Sequence, residues 1–366
     1  MPICQSRKPD LTLILDFGCS LTKGIYRDKD GQPKLLLMEP EVSQVQKSSL
    51  DNYESRKLGK SSPVDSAWVG VDDDFFAVGF LAKVQFNGIA TTNSLKYERA
   101  YIKTLAAVWA ACVELGLDKK KKKIRAAIGV LLPASEQEST DELKHYISSW
   151  LPKFITPTGV MSVELINYHC KPEGGGVFQA YTNSQGAALI KSKTIALVMV
   201  GYRNASILLL ERGQLTKLLS SNFGFIRLVE EVTKRISTVL DTGGVANAII
   251  KANEAQHWNT DEQEQKLLQA ISPAREQYWL ALKTWLKDNL PQKLDEVILC
   301  GGTAHFMKQE LEQHFQHSEL IWDGNLELPD ELCGDELGQR MSDAYGMYLC
   351  FTQGIFRETK EVRNVG

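Results

Sequence analysis

The chain is 366 residues long, 43% hydrophobic and 24% charged, with a formal net charge of -3. That length exceeds one small core and suits about two domains, and the near-neutral charge excludes a molecule that binds polyanions over its whole surface. Seven cysteines (4, 19, 112, 170, 300, 333 and 350) form no CxxC pair and no Cys/His cluster, which argues against a zinc site or a disulfide framework and for reduced thiols. The N-terminus lacks an apolar h-region, and no apolar run reaches the roughly 18–20 residues needed to cross a bilayer, so a soluble cytoplasmic protein is expected.

The first strong element is Leu11 to Asp16, an apolar run ending in Asp-Phe-Gly, followed by Thr22 to Tyr26 and a polar turn at Asp28 to Gly31. Strand, tight turn, strand is the expected form. Residues 33–95 have weak periodicity, with a polar stretch over 43–66, and are expected to be a less regular inserted subdomain. Tyr101, Leu105, Val108, Trp109 and Cys112 then recur at helical spacing over Tyr97 to Leu115, and Gly116 ends the run. Lys119 to Lys123 form a five-lysine block that reads as a solvated loop or, more sharply, as a contact for an acidic partner or nucleic acid phosphates. Ile124 to Leu132 is an apolar strand closed by Pro133, and Asp141 to Trp150 a helix. Val160 to His169 alternates as a strand and runs into Pro172-Glu173-Gly174, so a helix over Val177 to Asn183 has Glu173 near its N-terminus.

The pattern then restarts. Thr194 to Val200 reads as a buried strand, Gly201 to Asn204 as a turn, and Ala205 to Leu210 as a second strand. Phe225 to Leu240 is an amphipathic helix, Asp241 to Gly244 a break, and Ala274 to Leu290 a further helix. Val297 to Leu299 is a short strand before Cys300-Gly301-Gly302-Thr303, with helices over Phe306 to Phe315 and Asp335 to Phe351. One unit of hairpin plus alternating helices and strands therefore occurs twice, and a duplicated pair would enclose a cleft.

Three glycine-bearing turns stand out: Asp16-Phe17-Gly18-Cys19-Ser20-Leu21-Thr22-Lys23, Gly201-Tyr202-Arg203-Asn204, and Gly301-Gly302-Thr303. Glycine lets backbone N–H groups approach an anion, so two hairpin tips could grip a polyphosphate from both sides. Asp16 would then hold Mg²⁺ rather than phosphate, through water, and Lys23 would supply compensating positive charge. Each turn alone is weak evidence; their order and spacing together are stronger.

This set resembles the superfamily of actins, heat-shock chaperone ATPases and sugar kinases, and within it most closely the plasmid-segregation actins of the ParM/StbA type. Asp16 to Lys23 resembles the first phosphate loop, and Gly301-Gly302-Thr303 the adenosine motif that packs on base and ribose. Asp343-Ala344-Tyr345-Gly346 is similar to the second connecting motif, where small residues let helices cross. Ser94-Leu95-Lys96-Tyr97-Glu98 and Ile128 to Pro133 are similar to segments of the segregation actins. The resemblance implies a duplicated actin-like (ribonuclease H-like) α/β fold with two domains around a nucleotide cleft. Domain I is expected over 1–188, with the subdomain at about 33–95. Domain II spans 189–334, with an insertion at about 240–290, and the helix in 335–366 returns to domain I.

The resemblance further implies that Glu173 orients the attacking water; it also reads as a helix N-terminal acid favoured by the dipole, and both can hold. Arg227, Glu231 and Lys234 lie where the family places ribose and base contacts. Arg203 could reach the phosphates or be an exposed turn arginine. The departure lies in the second phosphate loop: Met199 stands where the family has Asp, and Asn204 where Thr is usual. Methionine neither holds a hydrated metal nor accepts a proton, so ATP (or GTP) binding with slow hydrolysis is expected, the loss being on the order of 10²–10⁴-fold. The implied function is a cytoskeletal filament built from copies of the chain, for plasmid or DNA segregation or as a cell-shape scaffold. An adaptor protein would link it to DNA or to the cell envelope, and no direct DNA contact is expected. The alternative is an actin-fold small-molecule kinase or a nucleotide switch that does not polymerise. A heat-shock-type chaperone is not expected, because no substrate-binding domain follows residue 351.

Overall fold

The computed structural model describes residues 8–90, 95–236, 241–253 and 262–354. Cys4, Ser94, the 237–240 end of the expected helix and residues 355–366 lie outside the described residues. The chain divides into two compact units: Met1–Ser184 with Leu326–Gly366, and Gln185–Asn325.

In the first unit Leu11–Phe17 is the central strand of a five-stranded sheet. On one side it pairs antiparallel with Thr22–Arg27, which pairs with Pro33–Met38. On the other it runs parallel to Ile124–Leu132, which pairs with Val163–Pro172. All seven residues of the central strand are buried, the signature of a strand covered on both faces. Leu11, Leu13, Leu15 and Phe17 face a core shared with helix Tyr97–Leu115, while Ile14 faces one shared with helix Ser342–Thr352. Helix Tyr97–Leu115 ends at Gly116, whose φ of 63° is the left-handed conformation that favours glycine.

The second unit repeats this order. Thr194–Val200 is central, with Ala205–Glu211 and Gln214–Ser221 antiparallel on one side and Glu296–Cys300 and Glu319–Trp322 parallel on the other. Counted from each central strand, both sheets have the order 3-2-1-4-5. Helices Phe225–Thr233, Thr242–Asn253 and Glu262–Asn289 cover Ala196, Val198 and Val200 on one face.

Residues 33–95 prove more regular than their periodicity suggests. Pro33–Met38 is the edge strand of the main sheet, where a proline at the first position costs no ladder bond. Val42–Val45, Asp74–Val78 and Trp68–Val71 join Phe154–Thr156 and Gly159–Met161 in a third five-stranded sheet, flanked by helices Lys47–Arg56 and Phe80–Gln85. Strands this short leave too few positions to show a period. The strand expected over Val160 to His169 is accordingly two strands, split at Ser162 and belonging to different sheets. In the lysine block, Lys121 pairs with Asp10 at 2.5 Å and Lys123 with Glu164 at 3.2 Å. Burial would raise Asp10, but hydrogen bonds from Arg125 and Lys121 overrule it and hold the carboxyl at about 2.

Candidate functional site

In the first unit a turn of residues 18–21 joins the central strand to its antiparallel neighbour. It is tight: a Cβ on Gly18 would lie 2.5 Å from the carbonyl oxygen of Leu21, so only glycine fits. The N–H groups of Gly18, Cys19 and Ser20 have no acceptor among the described residues, which leaves three backbone donors for an anion. Below the turn, strand register puts Asp16 opposite Lys23. Their side chains form an ion pair at 2.6 Å, with both residues buried. Lys23 also donates to the carbonyl of Arg340 at 2.7 Å, and Arg340 donates to Ser20 Oγ at 3.2 Å. Thr22 Oγ1 is buried with no hydrogen-bond partner among the described residues.

Glu173 follows the strand Val163–Pro172, and its N–H donates to the carbonyl of Leu132 at 2.8 Å. Its buried carboxylate forms an ion pair with Lys96, which enters helix Tyr97–Leu115. Burial pushes Glu173 above the usual carboxylate range, against the pull of Lys96 and with the charge of Asp16 adding to the rise. For Lys96, burial acts downward, but Glu173 first and then Cys19 and Asp16 overcome it, so the ammonium is held charged.

Next to Glu173 a third carboxyl is bound by backbone. Asp343 accepts from the N–H groups of Gly174, Gly176 and Val177 at 2.7, 2.8 and 3.1 Å, and so caps helix Gly175–Gln185 from the first turn of helix Ser342–Thr352. The helices meet backbone to backbone. A Cβ on Gly176 would lie 2.0 Å from the carbonyl oxygen of Asp343, and one on Gly346 would lie 2.6 Å from Gly176 backbone. Burial pushes Asp343 up to about 7, despite the N–H groups that favour its charge, and Asp16 adds to the rise.

In the second unit residues 201–204 form the equivalent turn. Its carbonyls cap the next helix: Gly201 O accepts from Phe225 N at 3.1 Å, Tyr202 O from Ile226 N at 2.9 Å and Arg203 O from Gly224 N at 3.0 Å. Gly224 is needed there, since its Cβ would lie 2.3 Å from the Arg203 carbonyl carbon. Thr303 Oγ1 donates to the carbonyl of Gly201 at 2.8 Å, and a Cβ on Gly301 would meet the Val200 oxygen at 2.5 Å. The glycine pair and the turn are thus built against each other, with Gly302 opening the short helix Gly302–Phe306. Asn204 is buried; its Nδ2 donates to the Ser221 carbonyl at 3.2 Å, while its Oδ1 has no partner among the described residues. Met199 is buried at the end of the central strand, in register with Ser206 and Cys300.

The structure therefore brings Asp16, Gly18, Cys19, Ser20, Leu21, Thr22, Lys23 and Glu173 together in the first unit, and Gly201 to Asn204 with Gly301 to Thr303 in the second. Arg227, Glu231 and Lys234 lie farther along helix Phe225–Thr233 and its end. Arg227 is exposed and pairs with Glu230 at 3.5 Å, while Glu231 is partly buried and bound by Lys234 and Arg235. Sequence reasoning quoted Lys96 and Asp343 within motifs without giving either a chemical role. A lysine entering a long buried helix and an aspartate inside an apolar one were the available signals.

Among the described residues no group of three His, Cys, Asp or Glu side chains could hold a metal ion alone. Mg²⁺ is normally held by one or two carboxylates together with phosphate oxygens and water. Asp16 beside Lys23, with Glu173 and Asp343 near enough to feel its charge, fits such an ion only in company with a phosphate ligand.

Two repeats of a 3-2-1-4-5 sheet, each with a turn of equal length after its central strand, define the duplicated ribonuclease H-like architecture of the actins. No protein-family model matches the chain, and no curated protein does. Solved structures match over nearly the whole length. An archaeal actin homologue aligns with TM-score 0.62 at 16% identity, covering 94% of this chain and 99% of that one. A ParM filament structure from Clostridium botulinum aligns with TM-score 0.60 at 16% identity, covering 94% and 100%. Bacillus thuringiensis ParM solved with ATP gives 0.58 at 13% identity, covering 94% and 100%. The chain has the actin-like fold. No helix among the described residues is long and apolar enough to cross a membrane.

Proposed function

We propose that this chain is a divergent segregation-type actin that binds ATP or GTP with Mg²⁺ and assembles with copies of itself into filaments. The observation that carries the reading is the pair of equivalent turns, 18–21 and 201–204, which stand at the same point of two identical sheet orders. In the first, three backbone donors lie above the Asp16–Lys23 pair. In the second, the glycine-rich motif of residues 301–303 packs on the turn. The relatives in fold include a ParM filament and a ParM solved with ATP, which supports polymerisation and a nucleotide ligand.

Asp16 would hold the metal together with phosphate oxygens, and a bound metal would neutralise charge on the phosphates. Glu173, held by Lys96, would position the attacking water and take its proton; its raised pKa suits a base. Gly301 to Thr303 would contact base and ribose, with Arg227, Glu231 and Lys234 as further candidates. Met199 in place of a carboxylate makes hydrolysis slow, so the polymer would be long-lived. A cytoplasmic filament of this kind, with an adaptor joining it to DNA or to the cell envelope, would serve segregation or cell shape.

The test is to mix the purified protein with Mg²⁺ and ATP, GTP, ADP or a non-hydrolysable analogue, reading light scattering, negative-stain images and phosphate release together. Nucleotide-dependent filaments with slow release are the expected result. Absence of filaments under every nucleotide overturns the reading and favours an actin-fold kinase or a nucleotide switch, which phosphoryl transfer to a panel of sugars would separate.

A further inference from the structure

The loop at 18–21 has a second neighbour that the nucleotide reading does not use. A pocket in the first unit is lined by Phe17 at the end of the central strand, by Gly18 and Cys19 of the loop, and by Lys96, Arg99 and Lys103 at the start of helix Tyr97–Leu115. Helical spacing stacks the three cations along one face. Lys96 is neutralised by Glu173. Arg99 is anchored by the carbonyls of Val42 and Ile89, at 3.0 and 3.4 Å, which fix its position without cancelling its charge. Lys103 is partly buried and has neither a hydrogen bond nor an ion pair among the described residues. A lysine drawn into protein without a counter-ion is costly, so a site of this kind is complementary to a small anion.

We propose that this pocket is an oxyanion site that takes inorganic phosphate, held by Lys103 and Arg99 and bordered by the Gly18–Cys19 backbone. The electrostatics agree. Burial above all, with Lys96 and Arg99 adding to it and Cys19 and Glu41 only partly opposing, pushes Lys103 down to about 8. An anion in the pocket restores the charge of Lys103, so phosphate affinity falls as pH rises through about 8. The anion has two possible sources, phosphate from solution or phosphate just cleaved from a bound nucleotide. The second rests on the nucleotide reading; the site itself does not.

The experiment is calorimetric titration of inorganic phosphate into the full-length chain, nucleotide-free and loaded with ADP. Nucleotide binding is measured separately, and a single-turnover reaction with a fluorescent phosphate sensor reports the source. Phosphate is expected to bind both forms. K103Q should weaken it about 10–100-fold, the worth of a charged hydrogen bond, and K103R should retain it. ADP affinity should not change in either variant, which also shows that they fold. Faster appearance of free phosphate after cleavage in K103Q assigns the site to the cleaved product, and an unchanged rate assigns it to phosphate from solution. Parent-like phosphate affinity in K103Q, or strict competition between phosphate and ADP, overturns the proposal. Phosphate binding without any nucleotide binding would sink the proposed function and leave this site standing.

Discussion

Replacing Gly176 with alanine tests the helix crossing that holds Asp343 against the Glu173 turn. The new Cβ would sit 2.0 Å from the Asp343 carbonyl oxygen and 2.7 Å from the Met347 nitrogen, where ordinary contact begins at 3.4 Å. Both obstacles are backbone, so no rotamer change relieves them. The helices must part by about 1.4 Å, which takes the three hydrogen bonds to Asp343 out of reach. Overpacking of this kind costs about 1–3 kcal/mol, and a lost hydrogen bond to a charged group adds about 1.5–3 kcal/mol. With partial relaxation the loss is about 4–6 kcal/mol, a large share of a typical domain stability of about 5–15 kcal/mol. Urea unfolding followed by circular dichroism and tryptophan fluorescence measures it. Gly243→Ala is the control. Its Cβ meets only Asp241 Oδ1 at 3.6 Å inside helix Thr242–Asn253, so neutrality or a gain of up to about 1 kcal/mol is expected. A G176A protein within about 1 kcal/mol of the parent would refute the close-packed crossing.

Three further outcomes are expected. Asp343 is raised by burial to about 7 from its ordinary 3.8, so its contribution to stability is present in acid and is lost as pH rises through about 7; D343N should flatten that slope in urea midpoints taken from about pH 5 to pH 8, and an unchanged slope counts against the assignment. E173Q should reduce single-turnover phosphate release by about 10²–10⁴-fold while nucleotide affinity stays within about threefold, and release at the parent rate would remove Glu173 from the chemistry. Met199→Asp restores a carboxylate at the end of the second central strand; phosphate release should rise by at least about tenfold, and no increase would show that its replacement is not what limits hydrolysis.

Much of the fold was legible because its central elements are buried all round. Ile124–Leu132 reads as an apolar run broken only by Arg125, Thr194–Val200 as one apolar after its first residue, and Tyr97–Leu115 as a helix closed by glycine. The edges were not. Gln214–Ser221 has no fully buried residue, Glu319–Trp322 has one, and neither shows a period. Pro273 lies inside helix Glu262–Asn289, so reading a helix start just after it cut the element short. For the site, Asp16, Gly18, Lys23 and Glu173 were visible because strand ends and turns are local signals. Lys96, Arg340 and Asp343 act through partners 77, 317 and 169 positions away. No spacing rule connects such residues; the topology does.

The route of the chain through the first unit sets an order of assembly. Its sheet is made by residues 11–38 and 124–172, but the face carrying Ile14, Ile25, Ala127 and Leu131 is covered by Met341, Ala344, Met347 and Phe351. Between them the polypeptide completes the whole second unit, residues 185–325. On the ribosome the second unit, contiguous in sequence, has all of its own parts first. The first unit waits with one apolar face bare until residues 341–352 emerge. Stop codons or proteolytic nicks just before that helix should therefore yield aggregation-prone chains, although more than nine-tenths of the sequence would be intact.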